Sequence, residues 1–212
     1  MKNNTKAIYM AILAIMTWIG LCVQFYISTE KYMSQGRTFG GAIVQLLSYF
    51  TIQNNLLIAL ALTVLLLWPA SKWGSFFSKL SVLSALTLYI TIVCLVYQIV
   101  LRRQHTQHGL FKFCDEILHT LSPPLFVLFW LIFVDKGKLA WSKAFSWLIY
   151  PLIYFIFIIA RGVITGYYPY SFIDGTKLNL GQIAVNFFFL LLTFLAIGLI
   201  YIGISRLSKK QT

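Results

Sequence analysis

Six apolar blocks run along the chain, and they decide what it can become. They are Ala7–Ser28, Ile43–Leu67, Leu80–Leu101, Cys114–Val134, Ala144–Ile164 and Gly181–Ile204. Each holds roughly 20–25 residues, enough to cross a ~30 Å hydrocarbon core as a helix. Helices are the expected form, because a backbone amide in lipid needs a partner within its own segment. Alternating segments of ~10 residues, which would indicate a membrane β-barrel, are absent. The expected fold is all-α: a polytopic membrane protein forming a six-transmembrane-helix bundle. The blocks leave little sequence for a soluble module, so one domain spanning residues 1–212 is expected. Composition agrees, with 59% hydrophobic and 10% charged residues and a mean hydropathy of +0.81. That is far more apolar material than a soluble domain uses.

The first block follows Lys2 and Lys6, as a signal peptide would. Its length, Trp18 and the lack of a small-x-small cleavage site favour a retained span. Basic residues then set the expected orientation. Lys2, Lys6, Lys72, Lys79, Lys136, Lys138, Lys143, Arg206, Lys209 and Lys210 fall on the N-terminal side of the membrane. Lys31, Arg37, Arg102, Arg103, Lys112 and Lys177 fall on the other, and Arg161 lies inside the fifth block. The excess predicts cytoplasmic N- and C-termini in a bacterial inner membrane. The net charge of +12 suits contact with anionic lipid head groups. Nucleic-acid binding is not expected, because no basic patch belongs to a soluble surface. Cys22, Cys94 and Cys114 have neither disulfide-framework nor zinc-motif spacing.

Polar side chains cluster towards one membrane face. Thr51, Asn54, Asn55, Gln98, Asp115, Glu116, His119, Arg161, the loop holding Tyr167, Tyr168 and Tyr170, and Asn186 all map to the outer half of their blocks. The asymmetry points to a site open to the outer leaflet rather than a pore. His119 leads the set, because an ionisable residue inside a span suggests function. Asp115 shares its helix face at i and i+4, and Glu116 lies close to that face. A carboxylate there fixes the imidazole tautomer and supports positive charge on the ring. Pro123 and Pro124 follow, and neither can donate to the carbonyl four residues before it. A bend beside the imidazole is expected.

Counted from its block's start, Thr51 lies about 12 Å along the second span and His119 about 7–8 Å along the fourth, from the same face. A threonine hydroxyl becomes a nucleophile once a base takes its proton. Asn54 and Asn55 are candidate oxyanion donors. Thr51, His119 and Asp115 then form a triad by role. Each residue also has a structural alternative. Thr51 can bond its own helix carbonyl, and Asn54, Asn55 and Asn186 can join helices. Arg161 can snorkel or pair with Asp115, Glu116 or Asp174. Tyr168 can belong to an interfacial aromatic belt.

Three segments carry a resemblance: Tyr49-Phe-Thr-Ile-Gln-Asn-Asn-Leu-Leu57, Leu118-His-Thr-Leu-Ser-Pro123 and Tyr168-Pro-Tyr-Ser-Phe172. In order and spacing the chain resembles the bacterial branch of the androgen-induced protein and androgen-dependent TFPI-regulating protein family, across all six spans. The resemblance implies a six-span membrane threonine hydrolase. Animal members cleave branched fatty acid esters of hydroxy fatty acids with a threonine early in the second span and a later histidine. Carried over, these are Thr51 and His119. Asp115 and Glu116 come from the residue reading alone.

The expected function is therefore hydrolysis of membrane-lipid or fatty-acyl esters. Thr51 is the nucleophile, His119 the base and Asp115 or Glu116 the orienting group. Arg161 and Tyr168 are candidates for holding a substrate carboxylate or head group. No cofactor or metal is expected. One alternative is a metal-dependent hydrolase using His119, Asp115 or Glu116, His105 and His108. Another is a non-enzymatic small-molecule transporter or lipid-binding membrane protein.

Overall fold

A computed structural model describes residues 2–103 and 107–208; His105, Lys209 and Lys210 lie outside them. Among the described residues there is no strand. Six helices are long and apolar enough to cross a membrane: Asn4–Ser34, Phe50–Leu67, Leu80–Leu101, Gly109–Phe133, Lys143–Thr165 and Leu180–Leu207. The fold is all-α and the protein is a multi-pass membrane protein. Contacts group the chain into two compact units, Met1–Asp135 and Lys136–Thr212.

The first unit contains α1 (Lys2–Ser34), α2 (Phe39–Leu47), α3 (Phe50–Leu67), α4 (Lys72–Phe77), α5 (Leu80–Val96), α6 (Gly109–Asp115) and α7 (Ser122–Phe133). Two π-helical stretches interrupt its spans. π1 (Tyr97–Leu101) continues α5, and π2 (Glu116–Leu121) joins α6 to α7. Neighbouring spans pack in the cyclic order α1, α3, α5, α7. Leu13, Leu62, Leu88, Phe126, Phe129 and Trp130 fill the interior. Polar bonds tie the helices at fixed heights. Trp18 Nε1 donates to Thr63 Oγ1 at 3.0 Å, Trp130 Nε1 to Ser84 Oγ at 3.0 Å, and the Ser122 hydroxyl to Thr17 Oγ1, whose own hydrogen goes to the Leu13 carbonyl, at 3.1 Å. Such bonds supply specificity where lipid offers no hydrophobic drive between helices.

The second apolar block proves to be two helices. α2 ends at Leu47, Ser48 stays near helical geometry, and Tyr49 is extended with φ −85° and ψ 126°. Gln53 Nε2 reaches back to the Leu47 carbonyl at 2.8 Å, covering an oxygen at the C-terminal end of α2. The break makes Thr51 the second residue of its span. It lies about 3 Å from the start of that helix, not the 12 Å expected from an unbroken block. At the other end, Pro69 forces Trp68 out of helical geometry and α3 stops. The fourth span begins at Gly109, earlier than the apolar pattern suggested, because Phe111 and Phe113 extend it through Lys112.

The second unit contains α8 (Lys143–Trp147), α9 (Ile149–Thr165), a 3₁₀ turn (Ser171–Ile173) and α10 (Leu180–Leu207). Phe155 of α9 stacks on Phe187 of α10 with ring centroids 3.5 Å apart. Arg206 Nη1 donates to the Leu139 carbonyl at 2.7 Å, and Ser205 Oγ to the Gly137 carbonyl at 2.8 Å.

Candidate active site

Thr51 stands at the second position of α3, and that placement frees its hydroxyl. Thr17, Thr29, Thr63, Thr87, Thr91, Thr165 and Thr193 each donate to the carbonyl four residues earlier. This is the usual behaviour of a threonine within a helix. Thr51 has no carbonyl of its own helix below it. Four residues back is the Leu47 carbonyl, which Gln53 occupies. The Thr51 hydroxyl instead faces His119 Nε2 at 3.1 Å.

The far side of the imidazole fixes its tautomer. His119 Nδ1 lies 3.0 Å from Asp115 Oδ1 and 3.1 Å from the Asp115 carbonyl. Both are acceptors, so Nδ1 carries the proton and Nε2 offers its lone pair to Thr51. Asp115 is held in turn by Tyr97, whose hydroxyl donates to Oδ2 at 2.6 Å. The Tyr97 ring also stacks on the imidazole, with centroids 4.2 Å apart and planes 18° apart. Tyr97 therefore sets both the carboxylate and the ring plane. The result is a continuous relay, Thr51–His119–Asp115–Tyr97, drawn from three spans.

The double proline explains the local backbone. Ser122 N donates to the Ile117 carbonyl, five residues back, so π2 has slipped by one residue from α-helical pairing. In that register, the Leu118 carbonyl loses its donor at Pro123, which has no N–H. Asn55 fills the vacancy. Its Nδ2 donates to the Leu118 carbonyl at 3.0 Å and to the Thr51 carbonyl at 3.0 Å. One amide thus ties the residue bearing the hydroxyl to the residue before the imidazole. Its Oδ1, like that of Asn54, finds no hydrogen-bond partner among the described residues. Asn54 Nδ2 donates to the Phe50 carbonyl at 2.8 Å.

Gly20 of α1 permits the close approach on the other side. A Cβ there would lie 2.6 Å from Ile117 Cγ2 and 3.1 Å from Leu118 Cδ2. Glu116 turns away from the imidazole. It pairs with Arg102 at 2.7 Å, and Arg102 also donates to Gln98 Oε1 at 2.7 Å. Gln98 Nε2 then donates to Thr120 Oγ1 at 3.0 Å. Three side-chain bridges therefore join the end of the third span to the fourth beside the site: Tyr97–Asp115, Gln98–Thr120 and Arg102–Glu116.

The site is nearly closed but not sealed. Thr51 is 7% exposed, and the His119 and Asp115 side chains are 15% and 21% exposed. Thr51 and Ile52 stand in the first turn of α3, where main-chain N–H groups point out of the positive end of a long helix. Tyr49, the N-cap residue, supplies no side-chain cap for them.

Arg161, Tyr168 and Asn186 belong to the second unit. Arg161 is 9% exposed, with its guanidinium 5.2 Å from the Tyr167 ring centre. The Tyr168 ring lies so close to Gly162 that any Cβ there would collide with it. Asn186 Nδ2 donates to the Phe172 carbonyl at 2.8 Å and anchors the 3₁₀ turn. Asp174 pairs with Lys177 at 3.6 Å, and its bond from Thr176 holds its carboxyl below the usual carboxylate range. Among the described residues, no group of three or more His, Cys, Asp or Glu is placed to hold a metal ion. His108 is exposed at the start of α6.

Sequence reading did not single out Tyr97 as part of the site. The available signal was a phenol one residue before Gln98 at the polar end of an otherwise apolar span. Comparison of the chain with family models, curated proteins and solved structures gives no match.

Proposed function

We propose that the protein is a membrane-embedded hydrolase of fatty-acyl esters, with Thr51 as nucleophile and His119 as general base. One observation carries the reading. A threonine hydroxyl is aimed at the basic nitrogen of an imidazole whose other nitrogen is held by a carboxylate. That is the nucleophile–base–orienter arrangement of covalent hydrolases. The same threonine and histidine are the pair implied by the resemblance to membrane threonine hydrolases.

His119 Nε2 takes the Thr51 proton as Oγ1 attacks the ester carbonyl carbon. The main-chain N–H groups of Thr51 and Ile52 are the candidate donors to the resulting oxyanion. Its collapse breaks the ester C–O bond, and His119 returns the proton to the departing alcohol. Water then gives a proton to Nε2 and attacks the acyl-threonine. Breaking the acyl–Oγ1 bond releases the fatty acid and restores the Thr51 hydroxyl. Throughout, Asp115 supports the transient imidazolium and Tyr97 holds Asp115.

The excess of basic residues on the N-terminal side supports cytoplasmic termini and a site at the outer leaflet. A bacterial inner membrane fits the same pattern. The test is fatty-acid release from acyl esters by the full chain in lipid vesicles. Turnover should fall to background in Thr51→Ala and in His119→Ala. Turnover unchanged in Thr51→Ala would overturn the assignment.

A further inference from the structure

Asn54 is a polar side chain that the packing of the spans does not use. It is 1% exposed, within an apolar helix. Buried asparagines in membrane helices ordinarily join one span to another, and Asn55 does so through its Nδ2. Asn54 does not. Its Nδ2 donates to the Phe50 carbonyl of its own helix, and among the described residues its Oδ1 accepts from no donor. A buried acceptor without a donor is costly, and a catalytic role is one reason such an atom persists.

Its placement brings it to the reacting groups. Asn54 follows Thr51 by three residues, so their Cβ atoms stand about 5–6 Å apart on one helix surface. The bond to Phe50 folds the amide back by one turn, to the level of Thr51. Phe50 packs edge-on against Tyr89 of the third span, with ring centroids 6.5 Å apart, while Thr51 and Asn55 meet the fourth span. Asn54 lies between Phe50 and Thr51 around the surface of α3, so it faces the junction of those two spans. At that junction Tyr97 of the third span stacks on His119 of the fourth.

Hydrogen counting decides what this acceptor serves. The Thr51 hydroxyl has one hydrogen, and His119 takes it. The scissile ester has none on its reacting atoms. Water alone brings a spare one. Resting on the hydrolase reading, we propose that Asn54 is a catalytic residue of the second half-reaction, whose Oδ1 accepts a hydrogen bond from the attacking water. The water oxygen bonds to the acyl carbon as one of its protons passes to His119 Nε2. The acyl–Oγ1 bond breaks as that proton moves on to Oγ1. The other hydrogen, held by Asn54, stays on the new carboxyl group of the fatty acid. Formation of the acyl-threonine makes no use of Asn54.

Methanol tests this, because its hydroxyl has no spare hydrogen. Vesicles containing the full chain turn over 4-nitrophenyl oleate, which has no hydroxyl of its own, at a fixed low methanol concentration. Above the Thr51→Ala background, the ratio of oleate to methyl oleate reads only how the acyl-threonine is partitioned. In Asn54→Leu and in Asn54→Ala that ratio should fall about tenfold, the loss of one hydrogen bond to water. A fluorophosphonate should still label Thr51 at a rate within about threefold of the parent. A ratio unchanged in either variant overturns the assignment of Asn54 and leaves the hydrolase reading standing. Loss of Thr51 labelling in both variants does the same, because it makes Asn54 a structural residue. Parent turnover no greater than the Thr51→Ala background overturns both.

Discussion

Asp115→Asn is the substitution whose consequence follows most directly from the geometry. The carboxylate lies 3.0 Å from Nδ1, so it faces the positive charge that forms when His119 takes the Thr51 proton. At that separation the attraction is about 1.4 kcal/mol in water and about 5.5 kcal/mol at an effective dielectric of 20. A partly exposed pair falls between these limits, at about 3–4 kcal/mol, or about 10²–10³ in rate. The amide has a second effect. Tyr97 donates to Oδ2 and would retain an oxygen there, turning the new NH₂ towards Nδ1. Nδ1 must then accept, which moves the ring proton to Nε2, where it opposes the Thr51 hydroxyl. The assay is steady-state oleate release by the variant in vesicles. Expected is a kcat fall of about 10²–10³ with KM nearly unchanged. Adding Tyr97→Phe lets the amide flip, so the double variant should be faster than Asp115→Asn alone. A single variant within about threefold of the parent kcat would refute this role for Asp115.

Asn55→Leu removes the donor that replaces the missing Pro123 N–H. The stranded Leu118 carbonyl costs about 1–3 kcal/mol, partly offset by losing the unpaired Asn55 Oδ1, so thermal stability should fall modestly. Thr51 and His119 lose their common tie, and kcat should drop by about 10²-fold, as for an ångström of misplacement. Gly20→Ala drives a methyl into Ile117. Overpacking of about 1–3 kcal/mol should appear in chemical denaturation, with recovery when Ile117→Ala is added. Arg102→Gln breaks an exposed pair worth about 0–1 kcal/mol, so the melting temperature should hardly move. A large loss of stability there would contradict the description of that pair as solvent-exposed.

The six spans were legible because lipid imposes a length and an apolar composition on every crossing. Thr51, His119 and Asp115 were also legible. Polar groups in apolar blocks are few, and the i and i+4 spacing joins Asp115 to His119 directly. The break at Ser48–Tyr49 was not legible. The apolar pattern passes through it, and the bonds that close the end of α2, from Ser48 and Tyr49 N–H to the Gln45 and Leu46 carbonyls and from Gln53 to the Leu47 carbonyl, appear only in the folded chain. The prolines pointed to disrupted backbone, but the slip into π2 and its repair by Asn55 depend on contact between two spans. Glu116 lies close to the face that Asp115 shares with His119, so the sequence left either as the orienting group. Arg102, from the third span, pulls Glu116 away. Tyr97 carried no distinguishing signal in the sequence; its role rests on the bond of its hydroxyl to Asp115, a contact between two spans.

The most direct measurement is peptide mapping of the covalent adduct formed when the purified protein reacts with a lipid-like fluorophosphonate. The account predicts one phosphonylated residue, Thr51, with the label lost in Thr51→Ala and strongly slowed in His119→Ala. A label on another side chain, or one that persists undiminished without the Thr51 hydroxyl, would contradict it.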